Sequence, residues 1–461
     1  KNYFSLSLSL FLIVLTNVDG RGCSLFIYRE HHQIHCSIYE NGDGYNPAPL
    51  KIPFMGVAQL QSKLGKIASE YFSNPSAHLE TYAITGTNGK STTTSYIQQL
   101  LNLLGKKAAS IGTLGVNECP DGRRAQLTTP DAIVMNHLMH QLAQENVDAV
   151  VFEASSHGIS QGRLNSLHID IATYTNLSHD HLDYHQSIDD YAMTKSELFA
   201  WPSLKAAAIN LDCHYSCKMI ERLKPTTKLV TYSMNNPTAD LYLHRYQILR
   251  HGFDLEFITP KGPLLTQIQT LGHFNVSNVL AAIATLMTTG YSLENLIPLV
   301  PKLTPPKGRM EIIQPKDGPT IIVDFAHTPE ALRRLLNSVR SHRPGKLILV
   351  FGCGGNRDRS KRAQMGQVAE NGADEIIITE DNPRHESIET INADIAAGFK
   401  NQAHKHWIPF RQDAINHALK ISQPKDMIIL AGKGHETYIE RLGERISFDE
   451  RQVISKHYEQ E

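Results

Sequence analysis

None of the six cysteines (Cys23, Cys36, Cys119, Cys213, Cys217 and Cys353) stands in a CxxC pair. A redox dithiol or a paired-thiolate zinc site of that kind is therefore excluded, and scattered thiols predict a reduced, cytoplasmic protein. Positive charge is not in excess either, since 45 Lys+Arg face 46 Asp+Glu for a formal net charge of -1. A domain that coats nucleic acid carries a clear basic surplus, so that class is excluded and any acidic ligand must be met by locally placed basic groups. The chain has no repeat and no low-complexity tract, and past its first residues no run is long and apolar enough to insert in a membrane. What it does contain is 41% hydrophobic and 20% charged residues over 461 positions. That is ample core for about three domains at roughly 150 residues each.

Residues 4–15 form an apolar run after Lys1. Its length suits a signal-peptide core, yet the run carries a single flanking charge, and Asn17-Val-Asp-Gly20 lacks a small-x-small cleavage site. Alternation of Ser and Leu over residues 5–10 has the period of a β-strand. A strand or disordered leader is the favoured expectation; an export signal and a shifted start stay open.

Strand-then-helix alternation begins near residue 79 and predicts parallel α/β sheets. Strands are expected at Thr81–Thr85, Val147–Phe152 and Asp170–Tyr174, and a helix over Ser91–Leu104 with Ile97, Leu100, Leu101 and Leu104 on one face. Residues 240–258 alternate like antiparallel strands, and Val276–Met287 reads as a helix. A Pro-rich joint at Lys302–Arg309 leads into a second α/β series with strands at Thr320–Asp324, Lys346–Phe351, Asp374–Thr379 and Asp426–Ala431.

The chemistry begins at Ile84-Thr-Gly-Thr-Asn-Gly-Lys-Ser91, a strand running through a glycine turn into a helix. Backbone N–H groups and the helix dipole favour phosphate there; Lys90 adds a point charge, and Ser91 offers a hydroxyl to Mg²⁺. The usual P-loop has four residues between its glycines, whereas Gly86 and Gly89 are separated by two. Further motifs follow: Glu153-Ala-Ser-Ser-His-Gly-Ile-Ser-Gln-Gly-Arg163, Thr175-Asn-Leu-Ser-His-Asp-His-Leu-Asp-Tyr-His185, Leu271-Gly-His-Phe-Asn-Val-Ser-Asn278, Gly308-Arg-Met-Glu311, Val323-Asp-Phe-Ala-His-Thr-Pro329, Phe351-Gly-Cys-Gly-Gly-Asn-Arg-Asp358, Asp381-Asn-Pro-Arg384 and Ala431-Gly-Lys-Gly-His-Glu436.

In that order these motifs resemble the Mur ligases, the ATP-dependent amino-acid-adding enzymes of peptidoglycan synthesis, and within them the ligases that extend UDP-MurNAc-L-Ala-D-Glu. The likeness covers residues 50 to 461. It implies an α/β, three-domain architecture: a UDP-substrate-binding cap at 1–78, a central P-loop-type ATP-binding domain at 79–304 and a C-terminal Rossmann-like domain at 305–461. It implies ATP as co-substrate, held by Gly86, Thr87, Asn88, Gly89, Lys90, Ser91 and Thr92 with Asn275 and His327. Mg²⁺ would be held by Ser91, Glu153, His181 and Lys195, the last as a carbamate, since a bare ammonium beside the cation would be repelled. Lys90, Glu153, His181 and Lys195 are the implied catalytic set. His179, His181 and His185 without a thiolate are a weak zinc signal.

By the same resemblance Thr128, Thr129, Ser155, Gln161 and Arg163 would contact the UDP-sugar. Arg357, Asp381, Asn382, Pro383, Arg384, Gly432 and Glu436 would line the amino-acid pocket. Asp381-Asn-Pro-Arg384 is similar to the version that selects meso-diaminopimelate, and the guanidinium fork of Arg384 suits a carboxylate. Ligation with L-lysine and a non-catalytic scaffold are the alternatives. A folate-polyglutamylating ligase would share the ATP loop and lack the other motifs. The implied partners are small molecules, with no nucleic acid and no membrane, and the implied state is a monomer. The reaction needs no covalent enzyme intermediate, so neither Ser155 nor Cys353 is read as a nucleophile; Cys353 is read as a packed thiol. The chain departs from the family in lacking an Asp-Ser-Arg motif in its first 50 residues, and in carrying Arg359 where the diaminopimelate enzymes carry Lys.

Overall fold

The computed structural model describes residues 10–16, 23–29, 33–40, 54–117, 127–178, 184–259, 261–342, 345–401 and 404–459. The described backbone gathers into two compact units. One is drawn from Lys1–Thr85, Lys106–Asp170 and His181–Leu204, the other from Gly86–Gly105, Ile171–Asp180 and Lys205–Glu461.

The first unit opens with a four-stranded sheet in chain order: Leu10–Thr16, Cys23–Arg29, Gln33–Glu40 and Phe54–Val57. The first three strands are antiparallel and the fourth runs parallel to the third. The first strand begins at Leu10, and residues 5–9 of the alternating leader lie outside the described residues. The helix Leu60–Tyr71 follows and packs Leu60 and Ala68 against Ile133 of the helix Ala132–Gln144. Next comes a parallel set in which Ala149–Glu153 lies between Glu80–Thr85 and Ala108–Gly112. Ala149–Glu153 is buried along its whole length, so its four apolar residues hold a fifth, Glu153, in a dry place. Asp131 starts the helix Ala132–Gln144 by accepting from the N–H groups of Ile133 and Val134, two donors that the first turn leaves without helical partners.

In the second unit Ile171–Tyr174, Ala206–Asn210 and Lys228–Ser233 are parallel neighbours. They lead into the antiparallel Leu241–Leu249 and Gly252–Thr259, where period-two alternation pointed, and a third strand, Gly262–Ile268, beyond it. The helix His273–Thr288 packs on the parallel strands with most of its residues buried. The C-terminal part of this unit is a six-stranded sheet in the order Glu311–Ile313, Thr320–Asp324, Met427–Ala431, Leu347–Phe351, Glu375–Ile378, Lys405–Trp407. All neighbours are parallel except the first pair. Apolar clusters cover both faces, as parallel sheets require. The helix Pro329–Arg340 shows why: Leu332, Leu335, Leu336 and Val339 share one stripe and are all buried, worth about 1.5–3 kcal/mol each. Three loops leave the carboxyl ends of the adjacent strands Met427–Ala431, Leu347–Phe351 and Glu375–Ile378, the edge where such sheets bind ligands.

Among the described residues no helix is long and apolar enough to cross a membrane. Cys213, Cys217 and Cys353 are free thiols; the side chains of Cys23, Cys36 and Cys119 lie outside the described residues.

Candidate active site

The glycine loop is clamped by the segment that follows Ile171–Tyr174. Thr87 N–H donates to Asn176 O (2.8 Å), Ser178 N–H to Thr87 Oγ1 (3.0 Å), and Thr175 Oγ1 to Asn88 O (2.7 Å). Gly86 has φ +147°, and a Cβ there would lie 1.9 Å from Thr175 Oγ1. Gly89 caps the helix Lys90–Leu103 with φ +85°, and a Cβ there would lie 2.2 Å from Asn278 Oδ1. Both positions demand glycine twice over, by backbone and by space. Asn275 is buried; its Nδ2 donates to Leu271 O, and its Oδ1 accepts from Asn278 Nδ2 at 3.1 Å. Three motifs distant in sequence thus converge on one phosphate-sized turn. Lys90 Nζ donates to Gly86 O (2.9 Å) and Thr87 O (3.0 Å), which holds the ammonium over the loop it is expected to serve. His327 is exposed on the C-terminal sheet's rim, its Nδ1 2.9 Å from Phe325 O and its carbonyl accepting from Lys361.

In the other unit Glu153 ends its strand with 2% of its surface exposed. Its Oε1 accepts from Thr113 N–H at 2.8 Å, and its Oε2 lies 3.3 Å from the Thr113 hydroxyl. Every residue expected to meet the UDP-sugar is linked to Glu153, Thr128 to its carboxylate by way of Thr113 and the others to its main-chain carbonyl. Thr113 Oγ1 pairs with Thr128 Oγ1 at 3.0 Å. Thr129 Oγ1 donates to Glu153 O (2.7 Å), lies 2.9 Å from Ser155 Oγ and accepts from Ser155 N–H. Arg163 donates to Thr129 O (2.8 Å) and to Gln161 Oε1. Ser155 Oγ also accepts from Gly158 N–H, which caps the short helix Ser156–Ser160, so the hydroxyl has a structural task.

Lys195, on the helix Ile188–Ser196, is 1% exposed. A lysine judged by its helix alone would be placed in water; packing puts it inside, with Nζ 4.4 Å from the Tyr191 ring centroid. The Tyr191 ring also packs on His185, centroids 4.8 Å apart. His181 and His179 lie outside the described residues. Among the described residues no group of three or more His, Cys, Asp and Glu side chains gathers for a metal. The donor chemistry of this unit still suits Mg²⁺, since Glu153 is a buried carboxylate, a hard oxygen ligand.

The amino-acid-pocket candidates meet at the C-terminal sheet edge. Asn382 Nδ2 donates to Glu436 Oε2 at 2.9 Å, and Gly355 N–H to Asn382 O at 2.9 Å. Gly432, at φ +112°, leaves room for the Asp381 carboxylate. Arg384, at φ +52°, donates from Nη1 to Gly355 O (2.9 Å) and lies 3.4 Å from Glu440 Oε2. Its fork is therefore partly engaged by the protein. Arg357 is exposed on the neighbouring loop. The departing residue, Arg359, is tied to Asp394 through both Nε and Nη2 (3.1 Å each). Cys353 is packed against Met365 Sδ (3.6 Å), and burial pushes its thiol up to about 12. It is a core thiol.

Sequence reasoning missed Thr113, Asn278 and Lys433. Lys433 is fully buried and contacts Asp381, Asn382 and Glu436. Its signal was available: a lysine between two glycines directly after an apolar strand sits where ligand-facing loops leave the sheet.

Residues 84–286 match the Mur ligase middle domain, and residues 308–434 match the Mur ligase, glutamate ligase domain. The chain is similar to the UDP-N-acetylmuramoyl-L-alanyl-D-glutamate–2,6-diaminopimelate ligase of Pseudomonas putida, 40% identical over 88% of this chain and 84% of that protein. To the same-named ligase of Coxiella burnetii it is 37% identical over 91% of this chain and 86% of that protein. A solved structure of a ligase of that name superposes with TM-score 0.68 and 36% identity, covering 90% of this chain and 85% of the other. Folylpolyglutamate synthase of Mycobacterium tuberculosis shares the fold at TM-score 0.61 with 18% identity, over 81% of this chain and 92% of its own.

Proposed function

This chain belongs to the Mur ligase family, and we propose that it uses ATP to join meso-diaminopimelate to UDP-MurNAc-L-Ala-D-Glu. The observation that carries this reading is the hydrogen-bonded chain running from Arg163 through Thr129 and Ser155 to Glu153. It ties the residues suited to the sugar nucleotide to the main chain of Glu153, whose carboxylate is held through Thr113, itself paired with Thr128.

A carboxylate is a poor acyl donor. Transfer of the γ-phosphoryl group to the D-Glu carboxylate makes an acyl phosphate, and the incoming amine then displaces phosphate to leave an amide and ADP. The chain's own work is positioning and charge. The N-terminus of Lys90–Leu103 and the loop before it receive the triphosphate, and Lys90 exchanges its carbonyl partners for phosphate oxygens as charge develops. Thr128, Thr129, Ser155, Gln161 and Arg163 orient the substrate so that its carboxylate oxygen lies about 3–3.5 Å from the phosphoryl group, in line for transfer. Mg²⁺ held by Ser91, Glu153, His181 and a carbamylated Lys195 would neutralise phosphate charge. Burial of Lys195 supports a role inside the site, since a lysine serving only solubility would keep its head in water. We read the cap, central and C-terminal domains as 1–78, 79–304 and 305–461, the working unit as a monomer, and its site of action as the cytoplasm, where free thiols and ATP coexist.

The test is ADP release from purified protein given UDP-MurNAc-L-Ala-D-Glu with either amino acid. The two differ by one carboxylate, and sites built for a polar group reject analogues lacking it by factors of about 10⁴. Equal use of L-lysine would overturn the acceptor assignment, and no ADP with either would overturn the ligase.

A further inference from the structure

Lys433 follows the strand Met427–Ala431, and its side chain is wholly buried. A buried ammonium is costly unless all its protons find acceptors. Here three acceptors surround it: Asn382 Oδ1 at 3.1 Å, Asp381 Oδ1 at 3.2 Å and Glu436 Oε2 at 3.3 Å. Two formal carboxylates around one ammonium leave a surplus negative charge, which suits the cationic end of an amino acid.

The amide of Asn382 shows what the arrangement accomplishes. Its Oδ1 accepts from Lys433 Nζ and also from Glu440 N–H at 2.9 Å, while Nδ2 donates to Glu436 Oε2 at 2.9 Å. Flipping the amide would set an NH₂ group against an ammonium and an N–H. Asn382 can therefore act toward a ligand only as a donor, through its second amide proton.

We propose that Lys433 is a positioning residue for amino-acid selection: it locks Asn382 as a donor for the substrate's carboxylate and holds Glu436 for its ammonium. The proposal rests on the meso-diaminopimelate reading above and deepens it. Lys433 touches no reacting atom; it acts through its two neighbours.

The experiment is steady-state kinetics on the full chain with Lys433→Met, which keeps the bulk and removes the charge. Losing a charge-assisted positioning contact should raise KM for meso-diaminopimelate by about 10- to 100-fold. Preference over L-lysine should fall by a similar factor, while KM for ATP and for UDP-MurNAc-L-Ala-D-Glu stays within about twofold. A merely structural lysine would move all three KM values together. An unchanged KM and preference for meso-diaminopimelate overturns the proposal. Should Lys433→Met fail to fold, Lys433→Gln, which keeps an amide donor and removes the charge, carries the same test; failure of both to fold assigns Lys433 to stability and overturns it. A parent protein that ligates another amino acid overturns the acceptor reading alone, and the KM split is then measured on that amino acid. A parent that turns over none overturns both.

Discussion

Gly112→Ala probes the placement of Glu153 without altering any residue expected to touch a substrate. A Cβ on Gly112 would lie 2.2 Å from Glu153 Oε1 and 2.8 Å from both Cδ and Cγ. The carboxylate must retreat by about 1 Å to reach ordinary contact. Its 2.8 Å bond from Thr113 N–H would stretch past useful length. Overpacking costs about 1–3 kcal/mol, and a buried acceptor short of a donor costs about 1–3 kcal/mol more. The variant should therefore melt several degrees lower and still fold. Turnover should fall by about 100-fold, the usual cost of a 1 Å misplacement in a catalytic constellation. ADP release at saturating substrates and thermal unfolding read the two effects separately. Adding Glu153→Asp withdraws one methylene from the clash, so the double variant should regain stability while remaining slow. Gly112→Ala turnover within about threefold of the parent would refute the need for Glu153 at that position.

Two further predictions concern single side chains. Lys195→Ala should fold and lose most activity, with partial recovery when acetate or formate is supplied, because a small carboxylate would stand in for the oxygens of the proposed carbamate; full activity in the variant removes Lys195 from the mechanism. Cys353→Ala should keep turnover, and iodoacetamide near pH 8 should label exposed Cys217 but leave Cys353 intact until unfolding, read by peptide mass spectrometry. With its folded value near 12 against an ordinary 9, the Cys353 thiol keeps in the native state a proton that the unfolded chain loses, so stability declines as pH rises through that interval and the alanine variant lacks this decline.

Local pattern made much of the fold legible. Thr320–Asp324 is a strand over the expected residues; Lys346–Phe351 and Asp426–Ala431 each lose their first residue, and Asp374–Thr379 loses one at both ends. One cause is visible at Asp426, whose carboxylate accepts from Lys346 and Gln423 N–H groups and so closes a turn before the strand begins. Asp170 likewise stays outside its strand while its side chain binds Thr81. The strands Cys23–Arg29, Gln33–Glu40 and Phe54–Val57 escaped notice, since short strands whose order depends on distant partners carry little local signal.

By itself the sequence determined the family, the glycine turn at Gly86–Ser91 and the alternation that builds parallel sheets, because each rests on motifs whose residues lie within a few positions of one another. Only the tertiary structure decided that Lys195 is dry, that Asn278 abuts Gly89, and that Arg359 is spent on Asp394. It also decided that Lys433 gathers Asp381, Asn382 and Glu436. These are long-range facts of burial and charge pairing. A lysine's sequence neighbours do not reveal which carboxylates the strand order will carry to it, and it is those partners that make a buried ammonium tolerable.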